Sequence, residues 1–323
     1  MNEHSQSQPL SLRISVIDRC QLRCVYCMPA EGIQLADRAE IISFEEIVRF
    51  VRAANGSLRV GKVRITGGEP LLRRNILRLV EMLAGEGFAD LAMTTNGQML
   101  APMASELKRA GLRRVNVSLD SLNPEVFSRL SRGGDVRLTL AGIDAALECG
   151  LLPVKANTVV LRGINDGEIR ELVRFGLAHG CEMRFLELMP IGPARQQFDE
   201  WFVPSDEVLS QLAASFDIRP IPSASDGTSR NYIVHADDGA TGTVGTIASC
   251  SVPFCGGCRR LRLTTTGKLL GCLARNDALD LRPMLAAGEC DDSRVAAAIA
   301  DALRVKHGQR QFVRQRVMAS IGG

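Results

Sequence analysis

About two thirds of this chain alternates between short apolar runs of β type and longer amphipathic segments with helical periodicity. The runs predict six strands, at 12–17, 62–66, 90–95, 114–119, 154–160 and 183–189. The segments between them predict helices that begin after Ser43 and near 75–86, 101–110, 136–149 and 166–179. Alternating strand and helix units wind a parallel sheet with right-handed crossovers. Six units are too few for a closed eight-unit barrel, so we expect an open, partial β/α barrel with its site at the carboxyl ends of the strands.

The regular alternation of strand and helix patterns ends at about residue 200. The segment 204–216 predicts a helix, and 228–236, 241–248 and 259–273 predict shorter antiparallel strands. We therefore predict an α/β chain in two parts: a partial barrel over residues 1–200 and a smaller α+β region over residues 201–323.

The cysteines are the unusual part of the composition. The N-terminus is polar and no apolar run approaches about 20 residues, so we expect a cytoplasmic chain without a signal peptide or membrane span. The net charge of +3 is too small to predict a nucleic-acid partner. Ten cysteines then need an explanation other than disulfides, because cytosolic thiols stay reduced. Four stand alone and are expected to be small apolar residues: Cys149, Cys181, Cys250 and Cys290.

Three cysteines lie within eight positions directly after the first predicted strand: Cys20, Cys24 and Cys27. A structural zinc site needs four ligands, and no fourth cysteine or histidine lies nearby. An iron–sulfur cluster with four irons and three protein thiolates leaves one iron with an open position, where a catalytic site can bind its reactant. The spacing therefore favours such a cluster over zinc or buried thiols.

A second set of three cysteines is separated by two and then thirteen residues: Cys255, Cys258 and Cys272. The first pair alone is also typical of half a zinc ribbon, for which Cys250 or Cys290 would be a fourth ligand. Three thiolates again favour a cluster with an open iron. Arg260 and Arg262 alternate on the strand that follows, so they point to the same face and favour an anionic substrate such as a phosphate compound. A solvated hairpin face is the alternative for these two arginines.

The first cysteine loop, with Tyr26 before its last cysteine, resembles the radical S-adenosylmethionine (SAM) superfamily. With "RITGGEP", "TTNG", "NVSLD", "ELMP", the second cysteine set with its R-L-R, and a terminal Gly-Gly, the chain resembles the GTP 3′,8-cyclases, the molybdenum cofactor biosynthesis protein A family. The resemblance runs from about residue 10 to 323. Two neighbours of the cysteines depart from the family, since Gln21 and Arg259 stand where it usually has Asn. The departures put local hydrogen bonding to the clusters in doubt.

The resemblance implies two [4Fe-4S] clusters and SAM as cofactors. It assigns the first cluster to Cys20, Cys24 and Cys27, and the second to Cys255, Cys258 and Cys272. It implies SAM contacts from Tyr26, Gly68, Ser118 and Met189. It implies GTP contacts from Arg13, Arg64, Thr94, Lys155, Arg260, Leu261 and Arg262, with Lys62 and Arg184 as weaker candidates. It further implies that the tail carrying Gly322 and Gly323 reaches into the active site.

The implied reaction converts GTP to 3′,8-cyclo-7,8-dihydro-GTP, an early step of molybdopterin biosynthesis. A radical derived from SAM would remove hydrogen from C3′ of the ribose, and C3′ would then bond to C8 of guanine. The implied partners are an electron donor and the cyclic pyranopterin monophosphate synthase, and a homodimer is allowed. Two alternatives remain open: another radical SAM enzyme with an auxiliary cluster, such as a peptide-modifying enzyme, and a zinc-binding regulatory protein.

Overall fold

A computed structural model describes residues 9–222, 228–274, 277–285 and 292–307, together with Met318. The strands are β1 Leu10–Ser15, β2 Val60–Thr66, β3 Leu91–Thr95, β4 Arg114–Ser118, β5 Lys155–Val160, β6 Glu182–Glu187, β7 Asp217–Ile221, β8 Arg230–His235, β9 Thr241–Ile247, β10 Arg260–Leu263, β11 Lys268–Leu270 and β12 Ala278–Asp280. The α-helices are α1 Phe44–Ser57, α2 Ile76–Gly85, α3 Leu100–Arg109, α4 Pro124–Ser131, α5 Val136–Glu148, α6 Ile169–His179, α7 Phe198–Trp201, α8 Ser205–Ala213, α9 Arg282–Leu285 and α10 Asp292–His307.

The six strands β1 to β6 lie side by side in chain order, and every neighbouring pair is parallel. At least one helix connects each strand to the next. The strand order within the described residues starts at β12 and ends at β7, so these strands do not close into a ring. The predicted open, six-unit β/α arrangement is confirmed.

The first connecting helix shows how local sequence sets an element. The Ser43 hydroxyl accepts the amide of Glu46 at 3.1 Å, and the Glu46 carboxylate accepts the amide of Ser43 at 2.7 Å. This capping box satisfies amides that the first turn leaves without partners. Ile47, Phe50 and Ala54 then recur at helical spacing and are buried against the sheet. A capped, amphipathic segment can therefore form only one kind of element here.

The segments after residue 200 extend the same sheet. Strand β10 pairs with β1 in parallel, with Ser11 opposite Arg260 and Arg13 opposite Arg262, and β9 pairs with β6 in parallel. The remaining pairs are antiparallel: β8 with β9 and β10 with β11, as the sequence predicts, and also β7 with β8 and β11 with β12, whose outer strands β7 and β12 were not predicted. Both edges of the six-strand sheet are thus covered, which removes unpaired backbone groups from them. The boundary near residue 200 stays a prediction.

The two faces of the sheet have opposite character. In β1, Leu10, Leu12 and Ile14 are fully buried in the main hydrophobic core, whereas Ser11 and Arg13 are partly exposed on the other face. Because side chains alternate along a strand, this pattern directs apolar residues toward the helices and polar residues toward the inner face of the sheet. No helix in the described ranges is long and apolar enough to cross a membrane.

Candidate active site

The inner face of the sheet borders a cavity of about 780 Å³. Every second residue of the central strands reaches it, as the period of two requires. The strand residues that line it are Ser11, Arg13, Lys62, Arg64, Thr66, Thr94, Thr95, Arg114, Asn116, Ser118, Lys155, Asn157, Val159, Arg184, Leu186, Asn231, Ile247 and Arg260. The first cysteine loop follows the carboxyl end of β1, and most of the basic residues lie nearer the amino ends of their strands.

The first cysteine loop is fixed against the end of α4. The amide of Arg23 donates to the Ser131 carbonyl at 3.0 Å, and the amide of Val25 donates to the Leu130 carbonyl at 2.9 Å. The Arg132 guanidinium donates back to two carbonyls of the loop. All three cysteines of the first set line the cavity: Cys20, Cys24 and Cys27. The loop therefore presents its thiols to one enclosed space.

These thiols lie where the neutral form is favoured in the absence of a metal. Burial raises the pKa of the Cys20 thiol to about 11. Burial also raises the pKa of the Cys24 thiol well above its ordinary value, and the nearby Asp120, Cys27 and Cys20 add to the effect. A coordinated metal removes this penalty, because metal ligation deprotonates a thiol outright. Three adjacent, half-buried thiols facing a cavity fit an iron–sulfur cluster with an open iron.

The glycines after β2 allow two loops to lie in direct contact. The amide of Gly68 donates to the Ile17 carbonyl at 2.6 Å, and the amide of Glu69 donates to the Arg19 carbonyl at 2.8 Å. A Cβ on Gly68 would lie 2.3 Å from the Arg19 oxygen, so only glycine permits this approach. Gly68 also lines the cavity. Gly68, which the resemblance assigns to SAM binding, therefore also allows the backbone after β2 to contact the start of the cysteine loop.

Glu69 joins the second and third strand ends. Its side chain is 1% exposed and accepts hydrogen bonds from the Thr95 hydroxyl at 2.7 Å and the Asn96 amide at 2.8 Å. Burial raises the pKa of this carboxyl to about 7. The Asn96 side-chain amide in turn donates to the Gln21 side-chain oxygen at 3.3 Å and to the Cys20 sulfur at 3.6 Å. Gln21, which departs from the family pattern, thus takes part in hydrogen bonding beside the first cysteine.

Tyr26 is tied to the fourth and fifth strands. Its hydroxyl donates to Asp120 at 2.6 Å, and the other Asp120 oxygen accepts the Val159 amide at 2.9 Å. Burial raises the pKa of Asp120 to about 6, and both hydrogen bonds act in the opposite direction. Tyr26, Asp120 and the nearby Ser118 all line the cavity. The polar groups at this end therefore hold the aromatic ring beside the thiols.

The other part of the cavity is strongly basic. Eight basic side chains and two carboxylates, Asp90 and Asp120, line it within the described residues. We call the eight the basic set: Arg13, Lys62, Arg64, Arg114, Lys155, Arg184, Arg259 and Arg260. Burial, with a smaller contribution from neighbouring arginines, lowers the pKa of Arg64 to about 9 and that of Lys155 to about 8. So many partly buried like charges predict a polyanionic ligand, which would relieve their mutual repulsion.

The basic set is only partly neutralised by the protein. Arg114 makes two hydrogen bonds to Asp90, at 2.8 and 2.9 Å, and Lys155 pairs with Glu182. The buried Nε atoms of Arg64 and Arg184 have no hydrogen-bond partner within the described residues, and neither has Oδ1 of Asn157, which lines the same cavity. Buried polar atoms normally have partners. These atoms therefore fit contacts with a bound ligand.

Glu187 positions the segment that leads to the second cysteine set. This carboxylate at the end of β6 is 5% exposed and accepts the amides of Ser205, Cys250 and Ser251 at 2.9, 2.7 and 2.9 Å. The hydrogen bonds lower its pKa, although burial acts in the opposite direction. One buried acid thus fixes where the chain leaves β9 toward the cysteines.

Within the second set, Cys258 lines the cavity, Cys255 is exposed and Cys272 is half-buried after β11. Burial by itself would raise the pKa of the Cys258 thiol, but the nearby Lys306 and Arg260 outweigh it and the pKa is lowered. The Arg260 guanidinium lies 5.9 Å from the centre of the Phe254 ring, on the cavity wall. The surroundings of Cys258 thus favour a thiolate.

Most of the predicted site residues meet in this one cavity. They are Cys20, Cys24, Cys27, Tyr26, Gly68, Ser118, Arg13, Arg64, Thr94, Lys155, Cys258 and Arg260, with Lys62 and Arg184. Five others do not line it: Met189, Cys255, Leu261, Arg262 and Cys272. Leu261 is 0% exposed in the hydrophobic core, because it alternates with Arg260 and Arg262 on β10. Gly322 and Gly323 lie outside the described residues, but Met318 lines the cavity.

Some lining residues were missed by the sequence prediction, although a signal was present. Arg114 and Asn116 precede the predicted Ser118 at steps of two along β4. Asn157 follows the predicted Lys155 at the same step along β5. Side chains two apart on a strand share a face. One step of two from each predicted position would have found Asn116 and Asn157, and a second step along β4 would have found Arg114.

Two family models match the chain. The Radical SAM superfamily model matches residues 14–176, and the Molybdenum Cofactor Synthesis C model matches residues 181–312. The first covers the end of β1 and strands β2 to β5, and the second covers β6 and the strands that extend both edges of the six-strand sheet.

Curated relatives match over most or all of the chain. A GTP 3′,8-cyclase from Heliobacterium modesticaldum is 42% identical over 320 residues, 97% of this chain and 97% of that protein. The GTP 3′,8-cyclase of Moorella thermoacetica is 40% identical over 329 residues, the full length of both chains. That of Geobacter sulfurreducens is 42% identical over 276 residues, 85% of this chain and 83% of the relative.

Among solved structures, Streptococcus suis SuiB bound to S-adenosylmethionine superposes with a TM-score of 0.57. It covers 89% of this chain and 68% of its own, at 16% sequence identity. At this identity the likeness shows a shared fold only.

Proposed function

Because this chain belongs to the GTP 3′,8-cyclase family of the radical SAM superfamily, we propose that it converts GTP to 3′,8-cyclo-7,8-dihydro-GTP, an early step toward the molybdenum cofactor. The observation that carries the proposal is a single cavity that joins three thiols, the partly buried basic set and Cys258. A triphosphate is the kind of anion that such a basic set favours.

Cys20, Cys24 and Cys27 would hold a [4Fe-4S] cluster, with Tyr26, Gly68, Ser118 and Met189 as the proposed SAM-binding residues. Cluster and SAM, when bound, supply a hydrogen-abstracting radical. The protein contributes the surroundings. Tyr26 is held by Asp120, and Gly68 lies directly against the cysteine loop, so the wall of this part of the cavity is fixed before reactants arrive.

The basic set would bind the triphosphate. Arg64 and Arg184 have buried Nε atoms directed at no protein partner in the described residues, so phosphate oxygens can satisfy them. Arg13 lies beside Arg64 across the β1–β2 pair and continues the set toward β10. Binding at the phosphates is remote from the ribose carbon that reacts, so it orients the sugar without hindering the new bond.

The second set, Cys255, Cys258 and Cys272, would hold another [4Fe-4S] cluster, near which the guanine would bind with help from Arg260, Leu261 and Arg262. Thr94 and Lys155 complete the proposed GTP-binding residues. We also infer that the tail with Gly322 and Gly323 enters the cavity and assists the reaction. The position of Met318 on the cavity wall supports this, because only three residues separate it from Gly322. An electron donor and the synthase that forms cyclic pyranopterin monophosphate are the proposed partners.

The test is incubation of the reconstituted chain with GTP, SAM and a reductant without oxygen. We expect a product with the mass of GTP and a new C3′–C8 bond, identified by mass spectrometry and NMR, and about eight irons per chain. SAM cleavage with GTP recovered unchanged would overturn the cyclase assignment in favour of another radical SAM activity. One or two zinc ions in place of iron would overturn the radical SAM chemistry itself.

A further inference from the structure

A buried lysine contacts the second cysteine set. Lys306 lies in the last turn of α10 and is only 7% exposed. Its ammonium donates to the Arg260 carbonyl at 2.5 Å and is hydrogen-bonded to the Cys258 thiol, with the Cys272 thiol close by. Lysine is almost never buried to this extent without a negative partner. The burial of Lys306 therefore indicates a specific interaction with the second cysteine set, which its position near the end of a helix does not suggest.

The packing of α10 forces Lys306 into this position. Val295, Ile299 and Leu303 form the buried stripe of the helix, and Lys306 continues that stripe where a further apolar residue would be expected. The helix lies close against the chain before Cys272, because a Cβ on Gly271 would come within 2.8 Å of the Ala302 carbonyl oxygen. The same Cβ would lie 3.5 Å from the Cβ of Lys306, so the backbone of Lys306 packs against this part of the chain.

Lys306 forms no ion pair with a carboxylate of the described residues, and the charged groups that act on it most strongly are thiols and an arginine. The groups that face it are the Arg260 carbonyl, the thiols of Cys258 and Cys272, and the guanidinium of Arg260, which adds a second positive charge. Two buried cations side by side are costly unless an anion compensates them. An iron–sulfur cluster held by three thiolates is such an anion, and its negative charge increases on reduction.

We propose that Lys306 is the counter-cation of the second cluster, where its hydrogen bond to the Cys258 sulfur stabilises the reduced form and raises the reduction potential. The inference rests on the proposed function, which assigns a cluster to these cysteines. Charge and hydrogen bonds at ligand sulfurs are among the features that set the potential of such clusters. Lys306 acts through Cys258, so it is a positioning residue and not a catalytic one.

The experiment is a redox titration with dithionite, followed by EPR, in full-length protein that carries Cys20→Ala, Cys24→Ala and Cys27→Ala so that only the second cluster remains. At the potential where the parent is half reduced, Lys306→Met should lower the ratio of reduced to oxidised cluster about tenfold, a negative shift of about 59 mV for one electron. Lys306→Arg keeps the charge, so its ratio of reduced to oxidised cluster should stay within threefold of that in the triple-cysteine variant with Lys306 intact. Lys268→Met is the matched control, since Lys268 is exposed on the same hairpin, and it should leave the ratio unchanged.

An unchanged ratio in Lys306→Met with full iron content overturns the proposal, and so does an equal shift in Lys306→Arg. If Lys306→Met loses the cluster, retention of iron by Lys306→Arg supports the counter-cation role. Loss of iron from both variants would show that the shape of the side chain matters and its charge does not, which overturns the proposal. Failure of the proposed function looks different: the intact chain would hold both clusters and still leave GTP unchanged. An intact chain without a second cluster would overturn both proposals.

Discussion

The two cysteine sets place the same ligand in opposite electrostatic surroundings. Cys24 is half-buried, and its removal from solvent, with Asp120 and two further thiols nearby, places its pKa well above the ordinary value. The pKa of Cys258 lies below the ordinary value, because Lys306 and Arg260 outweigh its burial. Negative charge is therefore disfavoured at the first site and favoured at the second. For clusters, this difference predicts a lower reduction potential at the first site than at the second.

The sets also differ in how the chain assembles them. The first set lies on one loop that follows β1 and is fixed by α4. The second is collected from both sides of the β10–β11 pair, with Cys258 before β10 and Cys272 after β11. The first site therefore depends on a local loop and the second on a hairpin and a helix that only the complete sheet holds in place.

The largest expected effect separates the roles of the two sets. Cys24→Ala should abolish SAM cleavage, because three thiolates are needed to leave one iron open for SAM. Cys258→Ala should abolish formation of the cyclised product and leave part of the SAM cleavage, because only the second cluster is lost. Release of 5′-deoxyadenosine and product, each quantified by chromatography, measures the two activities.

Cys181→Ala is the control for both, since Cys181 is a buried thiol outside the two sets. It should leave SAM cleavage and product formation near their original rates. Equal loss of SAM cleavage in Cys24→Ala and Cys258→Ala, with folding intact, would contradict the division of labour.

Much of the architecture follows from local patterns. Apolar runs with period two mark β1 to β6, and the Ser43–Glu46 pair marks the start of α1. The pairing of β10 with β1 was not predicted, since almost the whole chain separates Ser11 from Arg260 and no local signal joins them. Strand β10 was expected to form an antiparallel hairpin, and it does so with β11. Its parallel pairing with β1 depends on tertiary packing.

The residues of the site also divide into those that the sequence could predict and those that it could not. Cys20 and its neighbours, like Arg64 on its strand, could be predicted because their spacing or alternation has a chemical meaning. Lys306 could not, because lysine near the end of a helix is ordinarily exposed and its burial depends on how α10 packs against the rest of the chain, including Gly271. Met189 and Leu261 rested on resemblance, and the side chains of both lie off the cavity wall.

The next largest effect concerns the basic set, which lies in the same cavity as the first cysteine set and Cys258. Arg64→Ala should weaken GTP binding by roughly 2–5 kcal/mol, the usual cost of removing one partner of a desolvated charge pair. Binding of guanosine should change far less, because it lacks the phosphates. Calorimetry with both ligands measures the difference. Arg59→Ala, an exposed position just before β2, is the matched control, and an equal loss for guanosine and GTP would show that Arg64 does not serve the phosphates.

A smaller effect should follow from removing the tail. Deletion of Gly322 and Gly323 should lower product formation by roughly a hundredfold, as expected when a reacting group is misplaced. Both clusters, SAM binding and GTP binding should remain, because every other proposed ligand is intact. Iron content, GTP affinity and product yield are compared between truncated and intact protein. Cyclisation at the original rate would show that the tail has no part in the reaction.

The smallest expected effect tests whether the surroundings of the first set disfavour negative charge. Burial raises the pKa of Glu69 from 4.5 to about 7 in the folded protein. The native state therefore binds more protons than the unfolded chain between these values. The stability from this group is fully present below about pH 4.5 and is lost as the pH rises through about 7. The loss should be on the order of 1–3 kcal/mol, since one pKa unit corresponds to about 1.4 kcal/mol.

Glu69→Gln should remove this part of the pH dependence, although it lowers stability at every pH because its amide nitrogen meets the donors of Thr95 and Asn96. Urea unfolding of the metal-free, reduced protein at pH 5 and pH 7.5 gives the comparison. Glu81→Gln, at an exposed position on α2, is the control. Its free energy of unfolding should fall as the pH rises, in parallel with that of the original protein. If the free energy of unfolding of Glu69→Gln also falls in parallel, Glu69 titrates alike in the folded and unfolded states. The surroundings of the first set then do not disfavour negative charge at this carboxyl.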